Sequence, residues 1–195
     1  MARRPDLVEF ARRHGLKIGS IADLIRYRLH KEESVERISD DVVDTAHGQF
    51  RLAVFEDHVH QDVHLALIRG DLEKNVPLVR VQLLDTLRDV LGITAAGGGW
   101  ELRDALARVA EDGCGVVVVL RGSETPRDLV DAVEKLHGRG GQRIRDGRES
   151  TALRTHGIGA QILRNLGVHR MRVLSAPKQM YAISGFGLEV IEYVD

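Results

Sequence analysis

The 195-residue chain is poor in several residue types that particular functions require. Its single cysteine, Cys114, excludes an internal disulfide framework and fits a reducing compartment. Aromatic residues make up 4% of the sequence, too few for the stacking platforms that bind single-stranded nucleic acid. No apolar run approaches the roughly 18–20 residues of a membrane span, and the first residues lack a signal peptide's apolar core. With a net charge of −1, we expect a cytoplasmic protein that binds neither nucleic acid nor membrane.

The residues that are abundant predict an α/β (α+β) fold, in which a mixed β-sheet is flanked by helices. Hydrophobic residues make up 43% of the chain, enough for one full domain and a short extra segment. Alternating or continuous apolar patterns predict strands at 50–55, 63–68, 78–81 and 115–120, the last of them central and buried. Helical spacing predicts helices at 100–112 and 126–137, and residues 155–194 have the pattern helix, strand, helix, strand.

The remaining segments are more polar. Near the N-terminus, Leu7 and Phe10 lie on one face of a predicted helix, followed by a short strand at 16–18 and a second helix at 21–29. Charged residues at 31–44 predict a linker and a sheet edge. Residues 138–150 are rich in Gly and Arg, which predicts a mobile loop.

Residues 155–194, together with the pair Arg80-Val81 and the hairpin pattern that ends at Gly70-Asp71, resemble GTP cyclohydrolase II. That enzyme family opens the guanine ring of GTP at the start of riboflavin biosynthesis. The resemblance implies a GTP cyclohydrolase II-like domain over residues 34–195, and it implies a homodimer.

Residues 1–33 carry a second resemblance. The pattern Met1-Ala2-Arg3, then Phe10-Ala11, then Ile21-x-Asp-Leu-Ile-x-Tyr-Arg is similar to the last segment of 3,4-dihydroxy-2-butanone 4-phosphate synthase. In many bacteria that domain is fused ahead of GTP cyclohydrolase II, as a bifunctional riboflavin biosynthesis protein. The resemblance implies that residues 1–33 are the C-terminal fragment of a synthase domain, and that an attached synthase domain is the partner of this chain.

The family's zinc ligands are missing from the sequence. The family holds its catalytic zinc with three cysteines, and an ungapped alignment from Arg80 places them on Asp85, Ala96 and Gly98. Aspartate can bind zinc, but alanine and glycine have no donor side chain, and one carboxylate cannot hold the ion. We therefore expect no metal cofactor.

The other polar positions of the family's site are also altered. Its His-Ser-Glu is Gln82-Leu83-Leu84 here, and its catalytic Asp-x-Arg maps onto Ala152 and Arg154. The resemblance leaves Arg154 as the remnant of the catalytic pair. The nucleotide-binding positions that remain are Arg80, Arg121, Ser175 and Lys178. The sequence thus favours an inactive domain with a structural or regulatory role. The alternative is a divergent GTP cyclohydrolase, or a module that binds GTP through Arg154 without turning it over.

Three further patterns have two interpretations each. His58, His60 and His64 could bind a metal, but solvated polar residues of a hairpin explain them better. Arginines of 139–148 could grip a phosphate, and a solvated loop is the competing interpretation. The triple glycine at 97–99 could expose amides to a phosphate, although it lacks the Walker lysine and fits a flexible loop.

Overall fold

In the computed structural model of the protein, seven strands of the described residues form one mixed sheet in the order β1-β2-β3-β5-β4-β6-β7. The structure describes residues 4–19, 27, 34–93, 99–122, 124–139, 148–176 and 186–195, with only the backbone at 4, 148–154 and 156. The strands are β1 (Val35–Thr45), β2 (Gly48–Asp57), β3 (Asp62–Arg69), β4 (Leu78–Leu83), β5 (Gly115–Leu120), β6 (Arg170–Leu174) and β7 (Glu189–Val194). The helices are α1 (Arg4–Arg13), α2 (Leu102–Asp112), α3 (Pro126–Leu136) and α4 (Arg148–Asn165), and a single π-helical turn spans Thr86–Val90.

The first three strands form an antiparallel meander, and β3 joins it to the parallel half of the sheet. In β2 the buried side chains of Ala53 and Phe55 lie on one face and that of Phe50 on the other, in the second apolar cluster. β3 pairs antiparallel with β5, whereas β5, β4, β6 and β7 run parallel. Every residue of β5 is buried because helices cover both faces of this part of the sheet.

Two apolar layers enclose the sheet. On one face, Ala105 and Val109 of α2 pack in a cluster with Leu78 and Val117. On the opposite face, α4 contributes Ile158 and Ile162 to the larger cluster. This cluster also holds Val79 of β4 and Val116 of β5, each adjacent in sequence to a residue of the first cluster. The crossover from β4 to β5 through α2 and the crossover from β5 to β6 through α4 run in opposite directions along the sheet. Because both crossovers have the same hand, their helices lie on opposite faces.

The predicted α/β fold is confirmed, and so are the predicted strands of the meander, the buried β5 and helices α2 and α3. Residues 35–45 are an 11-residue edge strand, so the sheet edge expected here is present and the linker expected over the same residues is not, because pairing with β2 lets their charges face solvent. Two further expectations were wrong. Residues 16–18 form no strand, since no neighbouring strand pairs with them. Helix α4 begins at Arg148, inside the segment predicted to be a loop.

Other expectations lie outside the described residues. These are most of the predicted helix at 21–29, the helix predicted between β6 and β7, and most of the segment that precedes α4. Within the described ranges, no helix is both long enough and apolar enough to cross a bilayer.

Candidate functional site

The candidate site lies where strands β4 and β6 separate. The two strands pair only at Leu78 with Arg172 and at Val79 with Val173, after which β4 continues to Leu83 beside β5. A cavity of about 300 Å³ opens between their carboxyl ends. The chain leaves β4 toward β5 and leaves β6 toward β7, in opposite directions along the sheet. In parallel α/β sheets such a crevice is the usual place for a ligand.

Most of the cavity wall is apolar. Val81 and Leu83 contribute from β4, Leu163 from α4, and Met171 and Val173 from β6. Gly159 lets α4 approach the sheet, because a Cβ atom there would come within 2.8 Å of Val81 Cγ1.

Arg80 supplies a positive charge at the polar side of this cavity. Its Nε donates to Gln82 Oε1 at 3.1 Å, and its Nη1 donates to the Leu174 carbonyl at 2.9 Å. No described carboxylate forms an ion pair with this guanidinium, since the nearby Asp89 binds Arg88. Burial, and then the charge of Arg88, lower the pKa of Arg80.

Gln82 lies beside Arg80 on the same face of β4 and is 4% exposed. Its carbonyl oxygen accepts the bond from Arg80, which fixes the orientation of the amide group. The amide nitrogen, Nε2, is buried and has no hydrogen-bond partner among the described residues. An unsatisfied buried donor costs roughly 1–3 kcal/mol.

The segment that follows β4 is closed by a carboxylate hub at Asp89, whose side chain is fully buried. Arg88 donates to both oxygens of Asp89, from Nε and from Nη2, at 2.9 Å each. The Asp85 amide donates to Oδ2, and the Leu102 amide at the start of α2 donates to Oδ1. Burial raises the pKa of Asp89, but the bonds from Arg88 and from these amides outweigh it and lower the pKa below its ordinary value.

Asp85, at the first of the family's cysteine positions, belongs to the same hydrogen-bonded segment. Its side chain caps the π-helical turn, and Oδ1 accepts the Arg88 amide at 2.8 Å. Within the described ranges, no three His, Cys, Asp or Glu side chains are grouped as metal ligands. The side chains of Asp85, Ala96 and Gly98 offer a single carboxylate, already used as a cap, and this donor set does not fit zinc.

The structure brings together only some of the residues named from the sequence. Arg80 and Ser175 both line the cavity, and Thr155, next to Arg154 on α4, lines it too. Arg121 is exposed and outside the cavity wall. Of Arg154 the structure describes the backbone alone, and Lys178 lies outside the described residues.

Arg88, Asp89 and the unsatisfied amide of Gln82 were not among the predicted site residues. The i, i+4 spacing of Asp85 and Asp89 is a signal that could have indicated a local hydrogen-bonded turn.

The three histidines of the hairpin do not converge. His58 Nε2 bonds Glu36 at 2.9 Å, and His60 Nδ1 bonds the buried Asp57 at 2.6 Å. His64 is 2% exposed, and its Nδ1 accepts the Arg121 amide at 3.2 Å. His58 is thus a half-exposed polar residue of the hairpin, and His64 is buried in β3, where it fits the strand pattern. His60 contacts Asp57, whose Oδ1 caps the β2–β3 turn by accepting the amides of Val59 and His60.

Cys114 is half-buried, and its Sγ donates to the Asp71 carbonyl at 3.4 Å. Burial, and next the charge of Asp112, raise the pKa of this thiol. A thiol in this environment is a poor nucleophile.

The family model of GTP cyclohydrolase II matches residues 36–195. A protein of Pseudomonas syringae pv. tomato named 3,4-dihydroxy-2-butanone 4-phosphate synthase is 44% identical over 196 residues, which cover 100% of this chain and 53% of that protein. The riboflavin biosynthesis protein RibBA of Aquifex aeolicus is 37% identical, over 100% of this chain and 50% of that protein.

Among solved structures, the chain is similar to RibBX from A. baumannii, described as a two-domain 3,4-dihydroxy-2-butanone 4-phosphate synthase. The TM-score is 0.70 at 38% identity, over 100% of this chain and 50% of that one. The chain thus spans about half the length of the relatives that it matches. The match of the family model over most of its length shows that the chain belongs to the GTP cyclohydrolase II family.

Proposed function

We propose that this chain is a riboflavin-biosynthesis domain that keeps the GTP cyclohydrolase II fold but does not carry out the reaction, and that its role is structural or regulatory. The observation that carries the proposal is the hydrogen bond by which the Asp85 side chain caps the turn after β4. The only side chain with a donor atom at the three cysteine positions is committed to capping the π-helical turn.

The chemistry of the reaction gives the physical reason. Hydrolysis of a guanine ring needs an activated water, and metal coordination lowers the pKa of water from 15.7 to roughly 7. A chain without a fitting ligand set has almost no hydroxide available at neutral pH. Ala152 adds to this deficit, because it replaces the acidic partner that the family places two residues before Arg154.

The partner we propose is an attached 3,4-dihydroxy-2-butanone 4-phosphate synthase domain, whose C-terminal fragment is residues 1–33. Relatives that match this chain are about twice as long, and one is described as a two-domain synthase. Helix α1 supports the same proposal, since Leu7 is 45% exposed and Phe10 is 55% exposed. An apolar helix face of this kind fits burial against a domain outside this chain.

Amide hydrogen exchange on the purified chain tests this boundary. We expect the amides of Arg4–Arg13 to exchange fast, because a short helix whose large apolar side chains Leu7 and Phe10 are exposed is marginally stable. Those of β4 and β5 should be protected. Strong protection of α1 at all protein concentrations would place the helix in this domain's own core and contradict the proposed boundary.

We also propose a homodimer, as in the family that the chain belongs to. Light scattering should give twice the chain mass of 21.7 kDa in the micromolar range. A monomeric mass at every concentration would contradict the dimer without affecting the proposal of lost catalysis.

A nucleotide-binding module without turnover is the second candidate. The observation that favours it is Arg80, a half-buried guanidinium at the cavity without a described carboxylate partner. Calorimetric titration with GTP in the absence of added metal tests this candidate. Saturable binding without product would support it.

A further inference from the structure

Helix α3 presents an apolar face to solvent. Helix α2 buries Ala105 and Val109 against the sheet, whereas α3 has no buried residue over Pro126–Leu136. The side chains of Val130 and Val133 are exposed, although valines at this spacing are typical of a helix face that packs on another element. An uncovered apolar helix face of this kind indicates an interaction surface.

The N-terminus of α3 is fixed by its own sequence. Thr125 Oγ1 accepts the Asp128 amide at 3.2 Å, and the Asp128 carboxylate accepts the Thr125 amide at 3.0 Å, which together form a capping box. Pro126 lies in the first turn of the helix, where its missing N–H removes no hydrogen bond. The exposed valines therefore belong to a helix with a defined start.

The charges beside this face fit a second copy of the same helix. Arg127 and Glu134 lie seven residues apart on one flank of the two valines. When two copies of α3 pack antiparallel about a point near Val130, Arg127 of each copy lies opposite Glu134 of the other. Arg127 pairs with Asp131 of its own helix at 3.1 Å, and Glu134 forms no ion pair within the described part of the chain. Each Glu134 is thus available to a second copy.

The surface next to α3 enlarges the available contact. Two helices of 11 residues bury less than the roughly 1,200 Å² that a stable interface needs. A hydrogen bond from Thr86 to Glu124 brings the π-helical turn beside the start of α3. Val90 and Leu91 at the end of that turn are exposed, and so is Leu83 at the end of β4. In an antiparallel pair, the end of one α3 approaches this apolar turn of the other copy.

We propose that α3 and the turn after β4 form the interface between two copies of this chain, with the two α3 helices antiparallel. This inference rests on the homodimer of the proposed function and specifies its surface and geometry. Leu83 also lines the cavity between β4 and β6, so the interface borders the candidate site. Assembly would restrict the segment that Asp89 holds beside that cavity.

Sedimentation equilibrium of the purified chain in the micromolar range tests the surface. Val133→Glu should raise the dimer dissociation constant at least about tenfold, because the two-fold axis brings two carboxylates into an apolar contact. Val42→Glu is the matched control, since Val42 is an exposed valine of the edge strand β1 and should leave the dissociation constant unchanged. Circular dichroism of both variants checks that the fold is kept.

A charge exchange tests the antiparallel geometry. Arg127→Glu and Glu134→Arg should each raise the dissociation constant about threefold or more, because each places like charges opposite one another across the interface. The double variant restores opposite charges in both pairs and should return the dissociation constant to within about twofold of the original value. Both side chains are exposed, so these variants should fold.

The outcomes separate the surface from the homodimer itself. A dimer that Val133→Glu does not weaken, or a double charge variant without restored affinity, would overturn this inference and leave the homodimer in place. A monomeric mass at every concentration would overturn both. Neither result bears on the proposed loss of catalysis, which GTP turnover tests separately.

Discussion

Arg88 forms a bidentate ion pair with the buried carboxylate of Asp89, in which Nε donates to Oδ1 and Nη2 donates to Oδ2, each at 2.9 Å. The same carboxylate accepts the backbone amides of Asp85 and Leu102. It thereby ties the end of β4 to the start of α2 across the segment where the family's zinc cysteines would lie. This hydrogen-bonded turn includes Asp85, the first of the three positions that the resemblance assigns to zinc ligands.

Removal of this hub should cost more stability than removal of the neighbouring cap. We expect Asp89→Ala to lower the free energy of unfolding by about 3–5 kcal/mol, because it leaves Arg88 and two amides without their acceptor. Asp85→Ala should cost about 0.5–2 kcal/mol, the usual range for a lost helix cap. Urea unfolding measures both variants, with Asp44→Ala on the exposed edge strand as the control. Equal losses for Asp85→Ala and Asp89→Ala would contradict the central position of Asp89.

The same carboxylate should make stability depend on acid pH. The pKa of Asp89 in the folded chain lies below the ordinary value of 3.8, so the ionised form stabilises the fold. Its contribution is fully present above the unfolded pKa and is lost as the pH falls through the lower folded pKa. The difference in unfolding free energy between the protein and Asp89→Asn should therefore shrink between about pH 5 and about pH 2. A difference that stays constant over this range would show that Asp89 is not held ionised by its partners.

Gly115 should tolerate no side chain. A Cβ atom there would lie 2.3 Å from the Leu78 carbonyl oxygen and 3.1 Å from Val109 Cγ1, and a backbone oxygen in a central strand cannot move aside cheaply. We expect Gly115→Ala to lower the free energy of unfolding by about 1–3 kcal/mol or more. Gly19→Ala is the matched control, because no heavy atom lies within 4 Å of its Cβ position. Thermal unfolding with similar losses in both variants would refute the close approach of β4 and β5 at this glycine.

The sequence predicted the parts of the fold that depend on local pattern. Four valines in succession, 116–119, are sufficient to indicate a strand buried on both faces, and they form the centre of the sheet. For β1 the sequence predicted a sheet edge together with a linker, but not a strand of 11 residues. Its residues are mostly charged, and they become a strand through pairing with β2, where Asp40 binds Arg51 across the hairpin.

In the candidate site, too, residue types could be predicted from the sequence, whereas tertiary contacts could not. The alignment assigned Arg80 and Ser175 to the same set of nucleotide-binding positions, and the structure puts both at the cavity. The partners of Arg80 could not be predicted, since the Leu174 carbonyl is 94 residues away in sequence. The cavity itself exists because β4 and β6 pair over only two residues and then separate, a tertiary feature that no local pattern encodes.

The central claim is that this member of the GTP cyclohydrolase II family does not open the guanine ring. The most direct measurement is a product-resolved GTP turnover assay on the purified chain with zinc supplied. We predict no formamidopyrimidine product above the protein-free background, because Asp85, Ala96 and Gly98 cannot hold the ion that would activate water. Robust, enzyme-dependent formation of that product by the unmodified chain would contradict the account.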